Sequence, residues 1–160
     1  MSKILVAYFS ATGVTSRVAA ELAKAEGADL YEIKAAVPYT AADIDYTKKE
    51  SRCNVEMADK SSRPAIDGAV PDMSGYEAVF VGFPIWWGRE PSIIDTFLES
   101  ASFAGKKIIP FCTSGGNDID KAAASTRGIV GSGVTVDDGK RVGGKISEKE
   151  LKIWTAGLSL

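Results

Sequence analysis

Hydroxyl groups crowd one short turn near the start of the chain. The apolar run Ile4-Leu5-Val6-Ala7-Tyr8-Phe9 stops at Ser10-Ala11-Thr12-Gly13-Val14-Thr15, and a helical pattern follows at once. A strand, a turn and a helix N-terminus in that order aim backbone N–H groups and the positive end of a helix dipole at one point. Ser10, Thr12, Thr15 and Ser16 surround that point with hydroxyl donors. Such a donor set suits a phosphate. The turn holds no Lys or Arg, the nearest being Arg17, so N–H groups and hydroxyls would carry most of the binding. The chain has no G-x-x-x-x-G-K-[ST], and no G-x-G-x-x-G follows the first strand. Their absence argues against a nucleoside triphosphatase loop and a Rossmann dinucleotide turn. The plainer reading of the turn is a helix capped by Thr12 or Thr15.

Two more loops have unusual chemistry. Pro84-Ile85-Trp86-Trp87-Gly88-Arg89-Glu90-Pro91 sets two tryptophans side by side. In an extended segment their side chains point to opposite sides, so one can pack inward while the other faces a ligand. A flat aromatic wall beside a phosphate cradle suits a planar ring joined to a phosphate, and Gly88 leaves room for backbone close to that ring. Core packing or a subunit contact would use the same tryptophans. Thr113-Ser114-Gly115-Gly116-Asn117-Asp118 combines glycines with polar side chains that could meet a heteroaromatic edge, or could form a capped turn.

The sequence has no histidine, so neither a Ser-His-Asp nor a Cys-His arrangement can be built from it. Cys53 and Cys112 form no C-x-x-C pair, and no metal site is expected. Chemistry in such a chain would be carried by a cofactor.

The loops need elements to position them, and strand and helix signals alternate. Strands are expected at 4–9, 30–33, 78–83, 108–112 and, weakly, 134–136. Val14, Val18, Leu22 and Ala25 recur at helical spacing before Gly27. Further helices are expected over about 42–58, after Pro91 with Ile93, Ile94, Phe97 and Leu98 inward, and from a cap at Asn117 or Asp118 to about Thr126. The last opens at the capping box Ser147-Glu148-Lys149-Glu150, with Leu151, Trp154 and Leu158 on one face. Pro110 counts against a central place for its strand, because it lacks a ladder donor. Alternation of this kind predicts a parallel sheet with right-handed crossovers and a ligand site beyond the carboxyl ends of the strands. All three loops follow strand ends.

Composition narrows the class. A length of 160 residues suits one domain spanning 1–160, and the 45% hydrophobic and 25% charged fractions are those of an ordinary globular protein. A net charge of -2 favours neither nucleic acid nor an anionic membrane as partner. No run is long enough to span a bilayer, and a reduced, cytoplasmic setting is expected.

Ser10-Ala11-Thr12-Gly13-Val14-Thr15 resembles the S/T-x-T-G-x-T phosphate loop of flavodoxins. Together with Pro84-Ile85-Trp86-Trp87-Gly88 and Pro110-Phe111-Cys112-Thr113-Ser114-Gly115-Gly116, it resembles the short bacterial flavodoxin-like FMN proteins of the reductase-related branch. The likeness runs over nearly the whole chain, Arg63-Pro64 and the Trp154 helix included. It implies a flavodoxin-like three-layer α/β/α fold with a five-stranded parallel sheet of order 2-1-3-4-5. It implies FMN bound where strands one and three part. By position, Ser10, Ala11, Thr12, Gly13, Val14 and Thr15 would hold the phosphate. Pro84, Ile85, Trp86, Trp87 and Gly88 would line one side of the ring, and Thr113, Ser114, Gly115 and Gly116 would meet its other edge. Asp118 departs from the small or hydroxyl residues expected there.

Flavin binding does not settle function. An electron carrier docks partners through a strongly acidic surface, which a net charge of -2 does not supply. The connection from about Lys34 to Glu77 is also long. It could roof the flavin, with Tyr39 and Tyr46 as roof candidates and Arg52, Arg63 or Arg89 as anion contacts. An FMN-dependent oxidoreductase reduced by NADH or NADPH and reoxidised by a quinone or similar small acceptor is the leading expectation. A flavodoxin-type one-electron carrier is the alternative. The resemblance also leaves room for a homodimer.

Overall fold

Apolar residues dominate the central strands because both faces of the sheet are covered. The computed structural model describes residues 3–114 and 116–160. Its strands are β1 (Ile4–Tyr8), β2 (Asp29–Glu32), β3 (Ala78–Pro84), β4 (Lys107–Thr113), β5 (Thr135–Val136) and β6 (Lys140–Val142). Its helices are α1 (Val14–Glu26), α2 (Arg52–Ala58), α3 (Ser92–Glu99), α4 (Asp120–Val130) and α5 (Glu148–Ala156). The strands pair in parallel in the order β2-β1-β3-β4-β5, as expected, and β6 continues beside β4 beyond β5.

Side chains alternate between two cores. Val6, Tyr8, Phe80, Ile109 and Phe111 pack against α1 and α5 through Val18, Leu22 and Leu151. Leu5, Ala7, Val79, Val81, Phe83, Ile108 and Cys112 pack against α3 and α4 through Ile93, Ile94, Phe97 and Ala122. The register sets Tyr8 beside Gly82 and Pro84 beside Thr113, so β1, β3 and β4 end on one rim.

Pro110 lies inside β4, yet its missing N–H removes no bond that the sheet needs. The carbonyls of Lys106 and Ile108 accept from Thr135 and Asp137, so alternate residues of β4 face the fifth lane. Pro110 faces the same way, opposite the break between β5 and β6. There Gly139, at φ 80°, crosses so closely that a Cβ would lie 2.4 Å from the Pro110 carbonyl oxygen. The expected fifth strand is therefore two short pieces.

The helix expected over 42–58 is confined to its last turns, as α2. Short polar side chains take the upstream backbone into turns instead. Asp43 accepts from the Thr40 N–H, Asp45 accepts from the N–H and hydroxyl of Thr47, and Asn54 donates to the carbonyls of Tyr46 and Lys48. The Asn117 or Asp118 cap is displaced as well. Asp118 Oδ1 accepts from the Ile119 N–H, α4 starts at Asp120, and it runs through Gly128 to Val130, with Gly131 at φ 75° after it.

Gly82 is the tightest point of the central sheet, since a Cβ there would lie 2.1 Å from the Phe111 ring. Gly82→Ala is expected to destabilise the fold by about 1–3 kcal/mol through overpacking. Urea unfolding checks this. Combining it with Phe111→Leu should recover part of the loss, whereas strictly additive costs would show that the ring contact is not the cause.

Candidate functional site

The first turn of α1 has spare donors. Gly13 occupies the N-cap position at φ 94° with no side-chain cap bond, and no acidic residue lies in the first turn. Neither Thr12 nor Thr15 caps the helix. Ser10 Oγ accepts from the Gly13 N–H at 3.0 Å and fixes the turn. Thr15 is buried, and its hydroxyl shares a 2.7 Å hydrogen bond with that of Thr113, tying the first loop to the end of β4.

These loops border a cleft of about 530 Å³ lined by Ala11, Thr12, Val14, Thr15, Pro84, Thr113 and Ser114, together with Arg141, Gly143 and Gly144. Residues from all three sequence loops meet there. Arg141 is the one cation among its described lining residues and donates to the Ser114 carbonyl at 3.3 Å. Sequence reading missed it because a three-residue strand between glycines has no period to detect. Arg17, the nearest cation by sequence, turns away and donates to the carbonyls of Gly144 at 2.6 Å and Ile146 at 3.1 Å, holding the β6–α5 loop against α1.

The tryptophans part company, but in a tight turn rather than an extended segment. Trp86 and Arg89 exchange two backbone hydrogen bonds across Trp87 at φ 53° and Gly88 at φ 81°. Left-handed backbone at both corners matches a two-residue hairpin, and a bulky side chain there is strained. Trp86 packs edge-on against Phe9 and Tyr39, with ring centroids 5.6 and 5.4 Å away. Trp87 is 61% exposed, and its indole N–H donates to Asn54 Oδ1 at 2.9 Å. Ile85 packs partly buried against the core, and Gly116 donates to Ser114 Oγ at 3.2 Å. Gly115 lies outside the described residues.

The long connection supplies packing and ion pairs. Tyr39 sits between Phe9 and Trp86, donates to Glu56 Oε1, and carries the Arg52 guanidinium 3.8 Å from its ring centroid. Burial and the Glu56 carboxylate push its phenol well above the usual range. Tyr46 is 77% exposed, and its carbonyl accepts from the Asn54 amide. Arg52 pairs with Glu56 at 2.9 Å, Arg63 with Glu99 at 2.8 Å, and Arg89 with Asp95 at 3.5 Å. These carboxylates already engage the three arginines expected to contact an anion.

Beneath the hairpin lies a pair of acids without a sequence signal beyond the Glu90-Pro91 step. Glu90 and Asp95 are 0% and 2% exposed. Ser125 donates to Glu90 Oε2, while Glu90 Oε1 and Asp95 Oδ1 are buried without a donor from any other described group. The negative charge of Asp95 opposes ionisation of Glu90 across this buried pair. Burial is the main cause that raises both, and Glu90 is pushed up to about 8.

A flavodoxin family model matches residues 3–158. The chain belongs to the flavodoxin family. It is 43% identical to a protein of Bacteroides uniformis classed as a flavoprotein, covering 97% of this chain and 98% of that one, with a TM-score of 0.92. It is 42% identical to a similarly classed protein of Bacteroides eggerthii, over 100% and 99% of the two chains, with a TM-score of 0.92. A Lactobacillus acidophilus flavoprotein in complex with FMN shares the fold at 18% identity and a TM-score of 0.70, over 97% and 99%. A curated relative, an NAD(P)H dehydrogenase (quinone) of Cupriavidus metallidurans, is 32% identical over 106 residues, 63% of this chain. The flavodoxin chain spans 47% of that relative's length.

Glu90 makes stability depend on pH. Its folded value, about 8, lies above its ordinary 4.5, so between those values the folded state holds a proton that the unfolded state has released. Stability therefore falls as pH rises through that window and levels off above it. In Glu90→Gln the amide can donate to Asp95 and accept from Ser125 without titrating. Urea midpoints of this variant should lose that slope and exceed wild type at pH 8; an unchanged slope would show that Glu90 is already ionised in the folded protein.

Proposed function

We propose that this flavodoxin-family chain is an FMN-dependent oxidoreductase that takes electrons from NADH or NADPH and passes them to a quinone or a similar small acceptor. FMN is its cofactor, and the donor chemistry fits. A phosphate needs several N–H and O–H donors at one point, and the uncapped first turn of α1 with Thr12, Thr15 and the guanidinium of Arg141 supplies them. This cleft is the observation that carries the reading.

In this proposal Ser10, Ala11, Thr12, Gly13, Val14 and Thr15 hold the phosphate. Pro84, Ile85, Trp86, Trp87 and Gly88 flank the ring on the β3 side, and Thr113, Ser114, Gly115 and Gly116 on the β4 side. Bound FMN supplies the hydride and electron chemistry, and the chain binds it, orients it and excludes water. Ser10 holds the turn, Thr15 and Thr113 lock two rims together, and Trp86 buttresses the hairpin from the core. The curated quinone-reducing relative and the near-neutral net charge of -2 support an enzyme. The family match itself favours a second reading, a one-electron carrier between protein partners.

Purified protein given FMN and desalted should retain two flavin absorption bands with quenched fluorescence. Anaerobic NADH or NADPH should then bleach them stoichiometrically. No bleaching by either, with rapid electron exchange with a ferredoxin-type protein, would replace the enzyme by the carrier. Thr12→Ala and Arg141→Ala should each weaken FMN binding roughly 10- to 100-fold, the scale of one hydrogen bond to a charged group. Fluorescence titration of the apoprotein measures this.

A further inference from the structure

A second cleft, of about 630 Å³, opens beside Trp87 between α2, α3 and α4, and it shares no lining residue with the cleft at the phosphate loop. Lys60, Arg63, Arg89 and Lys121 bring four cations to it, against the single carboxylate of Asp95. That is a concentrated positive field on a chain whose net charge is -2.

The cations divide into two kinds. Arg63 and Arg89 lie 3.9 and 3.5 Å from Asp95 Oδ2, and Arg63 also holds Glu99. Lys60 and Lys121 have no ion-pair partner among the described residues.

The Trp87 indole forms part of the wall. It is exposed, yet its ring is held by the hydrogen bond to Asn54, whose amide is itself fixed on the carbonyls of Tyr46 and Lys48. A large apolar side chain is thus kept in strained left-handed backbone, outside the core and in one orientation. Strain of this kind concentrates at functional sites. Met57 and Ile129 add apolar surface.

We propose that this cleft binds a planar aromatic ring bearing negatively charged groups, with the ring stacked on the face of Trp87 turned away from the flavin and the anions held by Lys60 and Lys121. An indole face and two uncompensated ammonium groups recognise that combination and no simpler ligand uses both. The proposal rests on the oxidoreductase reading for its natural occupant, which is either the phosphate-bearing end of the nicotinamide dinucleotide or an anionic acceptor.

FMN-loaded protein is titrated calorimetrically with adenosine 2′,5′-bisphosphate, with anthraquinone-2,6-disulfonate and with inorganic phosphate, no reductant being present. At least one aromatic anion should bind, more weakly as salt is raised. The bound ring should hold it at least tenfold tighter than phosphate alone. Lys60→Ala/Lys121→Ala should weaken it at least tenfold while the flavin spectrum is retained, which also shows that the variant is folded. Binding of the bisphosphate identifies the dinucleotide as occupant, and binding of the disulfonate alone identifies the acceptor. The proposal is overturned if neither aromatic anion binds, if phosphate binds as tightly, if the double variant binds like wild type, or if the probe displaces FMN. None of these probes is turned over here, so failure to bind and failure of NAD(P)H to bleach the flavin are separate results.

Discussion

Parallel pairing of β1, β3 and β4 is the constraint on which the rest of the structure depends. A parallel sheet needs a crossover between neighbours, and crossovers cover both of its faces. β3 and the core of β4 are consequently buried on both sides, with no place for a polar side chain along them. Polar chemistry is displaced to the strand ends. Because the register brings the ends of β1, β3 and β4 to one rim, hydroxyls and glycines far apart in sequence become neighbours there. The bond between Thr15 and Thr113, separated by 98 positions, is the direct expression of that geometry.

This constraint explains what could be read from sequence. Continuous apolar runs ending in Ser10, Pro84 and Thr113 gave away the strands and the rim together, since burial on both faces leaves a local pattern. Gly27 ended α1 as read, with its N–H on the Lys24 carbonyl. The capping box of α5 formed too, Ser147 Oγ accepting from the Glu150 N–H. The strand order was legible through the resemblance, not through periodicity.

What was missed depends on side-chain contacts that the residue pattern does not specify. Asp43, Asp45 and Asn54 look like polar positions on a solvated helix, but their side chains bind backbone and divert the chain into turns. Arg141 belongs to a strand whose existence depends on β4 lying alongside it. Pro110 argued against a central strand only as long as the fifth lane was assumed continuous. Arg52, Arg63 and Arg89 had the right charge for an anion site, yet Glu56 one turn along α2 and Asp95 on the following helix engage the first and last, and Glu99 reaches Arg63 from 36 positions away.

The hairpin after β3 shows a conflict between folding and site construction. Asn or Gly would relieve the left-handed corner at Trp87, and an apolar residue in place of Glu90 would remove a buried carboxyl. Neither choice would serve the rim. Trp87 in a relaxed turn would not be fixed beside the cleft by Asn54, and an apolar residue at position 90 would leave the Ser125 hydroxyl without the carboxylate it donates to. Burying charge is unfavourable unless each group is paired. Here two guanidinium groups and a serine hydroxyl meet part of that need. The strained, polar segment is held from below by Phe9, Tyr39 and Trp86 packed on the apolar ends of β1 and β3. The doubly covered sheet thus stabilises a loop that would not hold this shape by local preference, and that support fixes the position of the proposed flavin wall.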